Sequence, residues 1–463
     1  MTIKKLNKNK FFILIVIYGC ILRWDGISNG YWYDEWSSFY YSNPSLSISQ
    51  IFNSVLFAKG SLKEGAQPLY FIIASKWNYL FGYHPETLRY FSYLLGCLSI
   101  ILFIILLKEF SKKNNFLYFA TFLFSSNYFL IQFSQESRFY SLSLFFSILN
   151  IILFFRFLKN KKYIHYYIFF STLSLLTNIF SILLMVSQII FLIFKKNKQT
   201  IYFISALVSI LIWCIIDYKY IFSIFEKSLK IFNISDTINL HFLIGYYFNI
   251  YFGSIILGGL ILVFCFFYLR NIRKILNDNI LFCIIAIFVT YFVPVVYSVL
   301  KNPILRPRYI IFIVPIIIIY FCYMIFKVEK KFIKNVVIFF VMSYSLINIF
   351  QSKPIIFKPD TEAALKLISN SDNKFLLIKS ENDLFYNYLN NLYLIKKKNI
   401  KLINNNQIIK TNFFWSICLN NPRFATNSRT DDKNCLLNPH YKSHKILEIK
   451  RVPDYMLILY KKI

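Results

Sequence analysis

Charged residues are scarce in this sequence, and acidic residues are the scarcest. Only 16% of the 463 residues are charged, and 21 Asp and Glu stand against 52 Lys and Arg, for a net charge of +31. The chain is 57% hydrophobic, and apolar runs of roughly 20 residues recur along most of its length, which is not typical of a soluble protein. The sequence therefore predicts a polytopic α-helical membrane protein.

Two patterns that carry chemistry in many enzymes are also missing. The sequence has no Gly-rich phosphate-binding loop and no His and Cys cluster with the spacing of metal ligands. The basic residues fall largely in short clusters between apolar runs, where they set membrane topology and meet anionic membrane lipid. No nucleic-acid partner is expected, although such a charge would suggest one in a soluble protein.

The basic clusters predict the topology. They are the N-terminal lysines, Lys108 to Lys113, Arg156 to Lys162, Lys195 to Lys198, Arg270 to Lys274 and Lys327 to Lys334. All should be cytoplasmic under the positive-inside rule, so an even number of crossings separates neighbouring clusters. Pro68 to Phe81 is too short to span and is expected to lie in the outer interface or to be re-entrant. The same parity divides Tyr163 to Phe194 into two spans that turn near Thr177 and Asn178.

The positions of the basic clusters predict about eleven spans in the inner or plasma membrane, with the N-terminus in the cytoplasm and the C-terminus outside. The predicted spans are Phe11 to Ile27, Leu88 to Leu107, Phe116 to Phe133, Phe139 to Leu158, the two within Tyr163 to Phe194, Ile201 to Tyr218, Tyr246 to Leu269, Ile280 to Leu300, Tyr309 to Phe326 and Phe332 to Phe350. The membrane core is thus residues 1–350, and its first outer loop is 28–87.

Residues 351–463 have a mixed polar composition and are predicted to form a small extracytoplasmic α/β domain. A capped helix is expected after Pro359-Asp360, and a short strand at Lys374 to Lys379. Cys418 and Cys435 are the cysteines of this tail, and the sequence leaves open whether they form a disulfide bond.

Asp34 and Glu35 form an acidic pair in the first outer loop, between Tyr33 and Trp36. Adjacent carboxylates have little use in sequence that faces lipid, so a pair held just above the membrane is a functional-site candidate. The sequence does not rank the two carboxylates.

Further charged groups lie at the predicted outer ends of spans. Glu136 and Arg138 stand between two spans, and Arg306 and Arg308 open another. Paired guanidiniums suit bidentate phosphate binding. Helix-end ion pairing and interfacial anchoring are the alternatives for these residues.

The ends of the first outer loop carry charges with simpler explanations. His84, Glu86 and Arg89 close the loop, and any of them could cap the helix that follows. Arg23 and Asp25 lie at the end of the first span and could pair with each other.

In order along the chain, the motifs are Tyr33-Asp34-Glu35-Trp36, Gln67-Pro68-Leu69-Tyr70 with Trp77 and Phe81-Gly82, Glu86 with Arg89 and Ser92, Phe133 to Arg138 with Tyr140, and Arg308-Tyr309 with Pro315. This succession covers the membrane region and resembles the GT-C superfamily of membrane glycosyltransferases. The nearest branch is the bacterial family similar to protein O-mannosyltransferases and the lipid A aminoarabinose transferase. Gln67 departs from the pattern, because the family usually has a proline there.

The resemblance implies a multi-span core whose first outer loop carries the catalytic acid. It also implies a donor sugar on a polyprenyl phosphate and an acceptor that enters from outside. Asp34 matches the family's catalytic aspartate and Glu35 its neighbour. Glu136 and Arg138 match the second-loop motif, and Arg308 the late basic position. The tail resembles the family's variable extracytoplasmic extension.

The residue types suit such a reaction by themselves. A sugar joined to phosphate through its anomeric carbon has a good leaving group, so the enzyme must deprotonate an acceptor hydroxyl and stabilise an anionic phosphate. Asp34 or Glu35 would be the base, and single displacement would invert the anomeric centre. Glu136 would orient a base or the sugar. The predicted residues for binding the donor phosphate and lipid are Arg89, Glu136, Arg138, Arg306 and Arg308.

Other functions stay open at this point. A polysaccharide polymerase or ligase with a lipid diphosphate donor would use the same arginines. A lipid-linked sugar transporter or flippase would be expected to show inverted repeats or ionisable residues within spans, and the sequence shows neither convincingly. A divalent metal between Asp34, Glu35 and Glu136 is a further alternative, since oxygen ligands suit Mg or Mn. The sequence determines neither the sugar nor whether the acceptor is a surface glycan, a lipid or a protein.

Overall fold

The computed structural model describes most of the membrane region and parts of the tail. The described residues are 3–27, 31, 33–57, 67–195, 200–218, 221, 249–269, 277–300, 306–352, 361–377, 400–403, 411–419, 444–452 and 455–463. The chain divides into two compact units, which are Met1–Ile27 with Gly65–Lys353 and Ser28–Glu64 with Pro354–Ile463. We call the first the helical unit and the second the loop-and-tail unit.

The described part of the chain is mostly α-helical. In chain order its helices are α1 (Ile3–Trp24), α2 (Tyr33–Tyr41), α3 (Ile48–Phe57), α4 (Pro68–Phe81), α5 (Pro85–Phe110), α6 (Asn114–Ser125), α7 (Tyr128–Ser134), α8 (Tyr140–Lys159), α9 (Ile164–Thr177), α10 (Ser181–Phe194), α11 (Thr200–Ile216), α12 (Ile255–Leu269), α13 (Asp278–Leu300), α14 (Ile313–Phe326), α15 (Lys331–Ser352) and α16 (Thr361–Ser369). Short 3-10 helices cover Lys161–Tyr163 and Pro307–Ile310.

Within the described residues, four helices are long and apolar enough to cross a membrane by themselves. They are Pro85–Phe110, Tyr140–Lys159, Asp278–Ser298 and Lys331–Phe350. A fifth span results if the bent pair α6 and α7 counts as one. The chain is therefore built as a helical membrane protein, while the number of about eleven spans stays a prediction.

The bend between α6 and α7 was not expected from the sequence, which predicts a single span from Phe116 to Phe133 without a break. The two helix axes differ by 53°. Ser126 ends α6, its hydroxyl donating to the carbonyl of Phe122 at 2.8 Å, and the Oδ1 of Asn127 accepts from the N–H of Leu130 at 3.0 Å. These side chains satisfy backbone groups at a helix end and a helix start, so they favour a break inside an apolar run.

The break predicted within Tyr163 to Phe194 is present. Helix α9 ends at Thr177, and α10 begins at Ser181. Asn178 turns the chain, because its Oδ1 accepts from the N–H of Phe180 at 3.1 Å.

Helix ends that carry basic clusters lie together in the helical unit. Glu109, in the last turn of α5, pairs with Arg156 at 3.5 Å and with Lys159, and both belong to the last turn of α8. The Nδ2 of Asn279, at the start of α13, donates to the carbonyl of Glu109 at 3.1 Å. We call this region the basic end. Since α5 is continuous from Pro85 to Phe110, its first turns lie about 30 Å away, at the opposite end.

Buried polar side chains join α8, α9 and α10 inside the helical unit. Nδ2 of Asn150 donates to the hydroxyl of Ser171 at 2.6 Å, and its Oδ1 accepts from Gln188 at 2.5 Å. The hydroxyl of Tyr167 donates to Oε1 of the same Gln188 at 2.6 Å. In apolar surroundings such bonds fix which helix faces meet.

Gly96 lets α5 approach the end of α7 closely. A Cβ atom at this position would lie 2.5 Å from the Cβ of Ser134 and 3.4 Å from the Cδ of Arg23. Two carbon atoms do not tolerate 2.5 Å, so a residue with a side chain would force the helices apart.

We expect Gly96→Ala to lower the unfolding temperature of the purified protein. The added methyl group overpacks the contact with Ser134, and overpacking of this kind costs about 1–3 kcal/mol. Gly259→Ala on α12 is the matched control, because a Cβ there would meet nothing within 4 Å. Equal unfolding temperatures for the two variants would contradict the close approach.

The tail contains a helix and a mixed sheet, as its sequence predicts. Helix α16 follows Asp360, and the strands are β1 (Phe375–Leu377), β2 (Lys401–Ile403), β3 (Phe413–Leu419), β4 (His444–Val452) and β5 (Tyr455–Lys462). Their order is β2-β1-β3-β5-β4, with β1 parallel to β2 and β3 and with β5 antiparallel to β3 and β4. Cys435 lies outside the described residues, so the disulfide bond stays an open prediction.

Candidate functional site

Three chain segments meet at the end of the helical unit opposite the basic end. Nδ2 of Asn178 donates to the carbonyl of Tyr309 at 2.8 Å and to the hydroxyl of Ser143 at 2.9 Å. The ring of Phe180 stacks on that of Tyr309, with centroids 5.4 Å apart. These contacts join the turn after α9, the start of α8 and the 3-10 helix Pro307–Ile310. We call this junction the site end.

Two of the predicted arginines come to neighbouring rings at the site end. The guanidinium carbon of Arg138 lies 5.8 Å from the ring centroid of Phe139, and that of Arg308 lies 5.9 Å from the centroid of Tyr140. The Phe139 and Tyr140 centroids are 4.5 Å apart. Arg138 is only 6% exposed and Arg308 is half-buried. Guanidiniums that lie at neighbouring rings and are partly shielded from water favour a phosphate ligand.

A tight turn sets the position of Glu136 next to Arg138. The N–H of Arg138 donates to the carbonyl of Glu136 at 2.8 Å. The hydroxyl of Ser141 donates to the carbonyl of Phe133 at 3.0 Å and ties the two sides of the turn together. Glu136 is 1% exposed. Both charges thus lie in the turn between α7 and α8, and their roles stay predictions.

Arg89 reaches back to the end of the first helix. It lies near the start of α5, is 1% exposed, and donates from Nη1 to the carbonyl of Ile27 at 3.0 Å. His84 is the N-cap of α5, its Nδ1 accepting from the N–H of Glu86 at 3.4 Å. Of the three residues that close the first outer loop, His84 therefore acts as a helix cap.

Arg306 differs from its neighbour Arg308. Its side chain is exposed, and its carbonyl accepts from the N–H of Tyr309 at 2.9 Å. The carbonyl of Pro307 accepts from the hydroxyl of Tyr251 at 3.4 Å. The 3-10 helix is thus anchored through its backbone. Arg306, just before it, is exposed, whereas Arg308, within it, is half-buried.

The acidic pair lies in the first turn of α2, in the loop-and-tail unit. A helix N-terminus favours negative charge, so this position stabilises the carboxylates. The structure distinguishes them: Glu35 is fully buried, whereas Asp34 is partly exposed. Trp36 is buried too, and its ring meets Tyr31 edge-on with centroids 5.1 Å apart.

The hydrogen bonds of Arg23 to backbone carbonyls were not predicted from the sequence. Its guanidinium is 1% exposed and donates to the carbonyls of Gly19 and Ser125 at 2.9 Å and of Phe124 at 3.4 Å. The pairing with Asp25 that the sequence left open is not among the ion pairs of the described residues. Because α6 ends at Ser125, the charge caps the carbonyl end of that helix.

A second buried charge escaped the sequence prediction altogether. Asp217, directly after α11, is 1% exposed and accepts from Gln67 and Trp213. An ionisable residue at the end of an apolar run was the available signal.

The described side chains do not include a cluster of three or more His, Cys, Asp or Glu that could hold a metal ion. The metal considered from the sequence therefore stays an untested alternative.

Comparison with solved structures identifies the architecture. The crystal structure of ArnT from Cupriavidus metallidurans bound to undecaprenyl phosphate aligns over 97% of this chain and 97% of that chain, with a TM-score of 0.58 and 9% sequence identity. At this identity the similarity concerns the fold alone. No protein-family model and no curated protein sequence matches the chain.

Two structures from Archaeoglobus fulgidus are also similar. The oligosaccharyltransferase tethered with an acceptor peptide containing the NVT sequon aligns over 84% of this chain but only 59% of its own length, with a TM-score of 0.49 and 11% identity. The oligosaccharyltransferase AglB, in complex with an inhibitory peptide and a dolichol-phosphate, aligns over 90% and 70%, with a TM-score of 0.46 and 11% identity. With TM-scores below 0.5, neither adds to the assignment.

The motifs predict an architecture, and the alignment with ArnT over nearly the full length of both chains confirms it. This protein has the fold of the GT-C membrane glycosyltransferases.

Proposed function

We propose that this protein is an inverting glycosyltransferase that moves a sugar from a polyprenyl-phosphate donor to an acceptor hydroxyl outside the cytoplasm. The observation that carries this proposal is the pair of partly shielded guanidiniums, Arg138 and Arg308, held at adjacent rings of the site end. A phosphate that carries a lipid chain meets such a pair at the end of a bundle of apolar helices.

The arginines hold the leaving group in this reaction. As the bond between the anomeric carbon and the phosphate oxygen breaks, negative charge grows on the phosphate. Arg138 and Arg308 stabilise that charge by charge-assisted hydrogen bonds. Arg306, the residue that precedes the 3-10 helix of Arg308, meets the phosphate from the exposed side. Glu136, buried beside Arg138, orients a guanidinium or the sugar.

Asp34 acts as the general base. It takes the proton of the acceptor hydroxyl as the oxygen attacks the anomeric carbon, and the polyprenyl phosphate departs from the opposite face. The anomeric configuration therefore inverts. The partial exposure of Asp34 supports this choice over Glu35, which is fully buried and has no open surface for an acceptor.

The comparison with ArnT supports this class of donor. ArnT, whose fold this chain shares, was crystallised bound to undecaprenyl phosphate. We further propose that the basic end faces the cytoplasm and that the site end and residues 351–463 lie outside. The contacts that gather basic helix ends at one end of the helical unit support this orientation under the positive-inside rule.

Transfer assays in right-side-out vesicles test donor class and sidedness together. We expect a radiolabelled polyprenyl-monophosphate sugar supplied from outside to yield labelled acceptor in an extract of the cell envelope. The matching lipid diphosphate should yield none, because the proposed leaving group is a monophosphate.

Transfer from the diphosphate alone would favour the polymerase or ligase. Movement of labelled lipid across the bilayer without a new glycosidic bond would favour the transporter. A chain with Asp34→Asn and Arg308→Met together is the negative control for background enzymes.

A further inference from the structure

Asp217 is a buried carboxylate whose partners come from distant parts of the chain. Its Oδ2 accepts from Nε2 of Gln67 at 2.7 Å and from Nε1 of Trp213 at 3.0 Å. The ion pairs of the described residues do not include it. A carboxylate removed from water loses its hydration and is strongly destabilised unless hydrogen bonds compensate the loss. These two donors therefore provide the stabilisation that the structure describes for this charge.

Gln67 enters this contact from the start of α4. It precedes Pro68 as the N-cap residue, yet its side chain makes no capping bond. The amide is 1% exposed, and its Oε1 has no hydrogen-bond partner within the described residues. The bond to Asp217 is thus what holds this buried amide. Leu69, two residues on, packs against the apolar cluster that contains Trp213.

The position of Gln67 in the chain gives this bond its importance. Ile27 is the last described residue of the helical unit before the segment that carries the acidic pair, and Gln67 is the first after it. The carbonyl of Ile27 is held by Arg89, and the amide of Gln67 by Asp217. Each attachment point of the loop is therefore fixed by a charged side chain that is 1% exposed.

We propose that Asp217 is a positioning residue for sugar transfer: through Gln67 it fixes the second attachment point of the loop that carries the acidic pair. The inference rests on the proposed function for its effect on rate. A displacement of about 1 Å in a reacting group can cost about a hundredfold in rate. If the attachment at Gln67 is lost, we therefore expect the loop to hold the catalytic carboxylate less accurately.

Gln67→Leu and Trp213→Phe form a matched pair, because each removes one donor to the same oxygen. We expect Gln67→Leu to lower kcat about tenfold to a hundredfold, with the KM for the donor nearly unchanged. Trp213→Phe leaves the loop attached and should stay within about twofold of the native kcat.

Variants at Asp217 test whether the same bond is involved. Asp217→Leu should match Gln67→Leu, and the double variant should be no slower than either, because the two share one contact. Asp217→Asn keeps an acceptor oxygen for Gln67 and should retain most activity.

Tryptic cleavage gives a readout that does not depend on catalysis. Lys59 and Lys63 lie in the stretch just before Gln67. Cleavage at these lysines in detergent-solubilised protein, followed by mass spectrometry, should be about threefold faster or more in Gln67→Leu than in Trp213→Phe, because a loosened attachment opens more often.

Equal loss of kcat in Gln67→Leu and Trp213→Phe, or equal cleavage rates, would overturn the positioning role. If the native protein transferred no sugar from any lipid donor, the proposed function would fail. The cleavage comparison would still decide whether Asp217 holds the loop.

Discussion

Replacing Asp34 by asparagine is expected to lower kcat for sugar transfer by about 10³-fold. An amide has nearly the size of the carboxylate but cannot take a proton from the acceptor hydroxyl, and general-base catalysis contributes about 10²–10⁴-fold. Because Asp34 is partly exposed in the first turn of α2, the change should leave the unfolding temperature nearly unaltered. The measurement is transfer of labelled sugar by the purified variant in vesicles at saturating donor.

Glu35→Gln is the matched control, since it makes the same chemical change at the next position. Glu35 is fully buried, so we expect a loss of about tenfold or less, the size of effect that a changed buried contact rather than a lost catalytic base produces. A large loss of kcat in Glu35→Gln together with a near-native kcat in Asp34→Asn would identify Glu35, and not Asp34, as the general base. Full activity in both variants would remove the acidic pair from the reaction.

Arg308→Met is expected to lower kcat/KM for the donor by about 10²–10³-fold. The guanidinium of Arg308 lies near the ring of Tyr140. Arg308 itself is on a 3-10 helix whose backbone carbonyls accept hydrogen bonds from Asn178 and Tyr251. A charged donor placed in advance at a developing anion contributes this much in other enzymes. Methionine keeps the apolar stem of the side chain, so loss of charge is the main change. Initial rates over a range of donor concentrations separate kcat from KM.

Arg306→Met removes the same charge two residues earlier and serves as the comparison. Arg306 is exposed, and solvent screening weakens an exposed guanidinium, so a loss of about fivefold or less is expected. Arg308→Lys should recover part of the activity, because it restores a positive charge without the bidentate geometry. A larger loss of kcat/KM in Arg306→Met than in Arg308→Met would show that Arg306, and not Arg308, makes the main contact with the donor phosphate.

Local features of the fold were predictable because they depend on local sequence. The break after Thr177, helix α16 and strand β1 all lie where composition and turn residues indicate them. The bend at Ser126 and Asn127 was not predicted. Apolar residues continue through it, and a hydropathy pattern records the length of an apolar run but not the hydrogen bonds of two side chains inside it.

For the candidate site, the sequence identified the residues but not their burial. The motifs pointed to Arg138 and Arg308, and the structure brings these two to adjacent rings at one end of the helical unit. Arg306 and Arg308 look alike in sequence, yet they differ in burial, since Arg306 precedes the 3-10 helix in an extended conformation and Arg308 lies within it. The acidic pair is likewise split into a buried and a partly exposed carboxylate by the first turn of α2.

By itself the sequence determined that this protein is built from apolar helices with basic clusters between them, and that an acidic pair, Asp34 and Glu35, follows the first apolar run. It could do so because the bilayer acts as a uniform solvent, which selects for the length of apolar runs and for the side on which charges lie. Only the tertiary structure decided the partners of the buried charges. Arg23 binds the carbonyl end of α6, Arg89 the carbonyl of Ile27 just after α1, and Asp217 the amide of Gln67, 150 positions away in the chain. A hydrogen bond of this kind depends on where two helices pack, and no pattern within a short stretch of sequence contains that information.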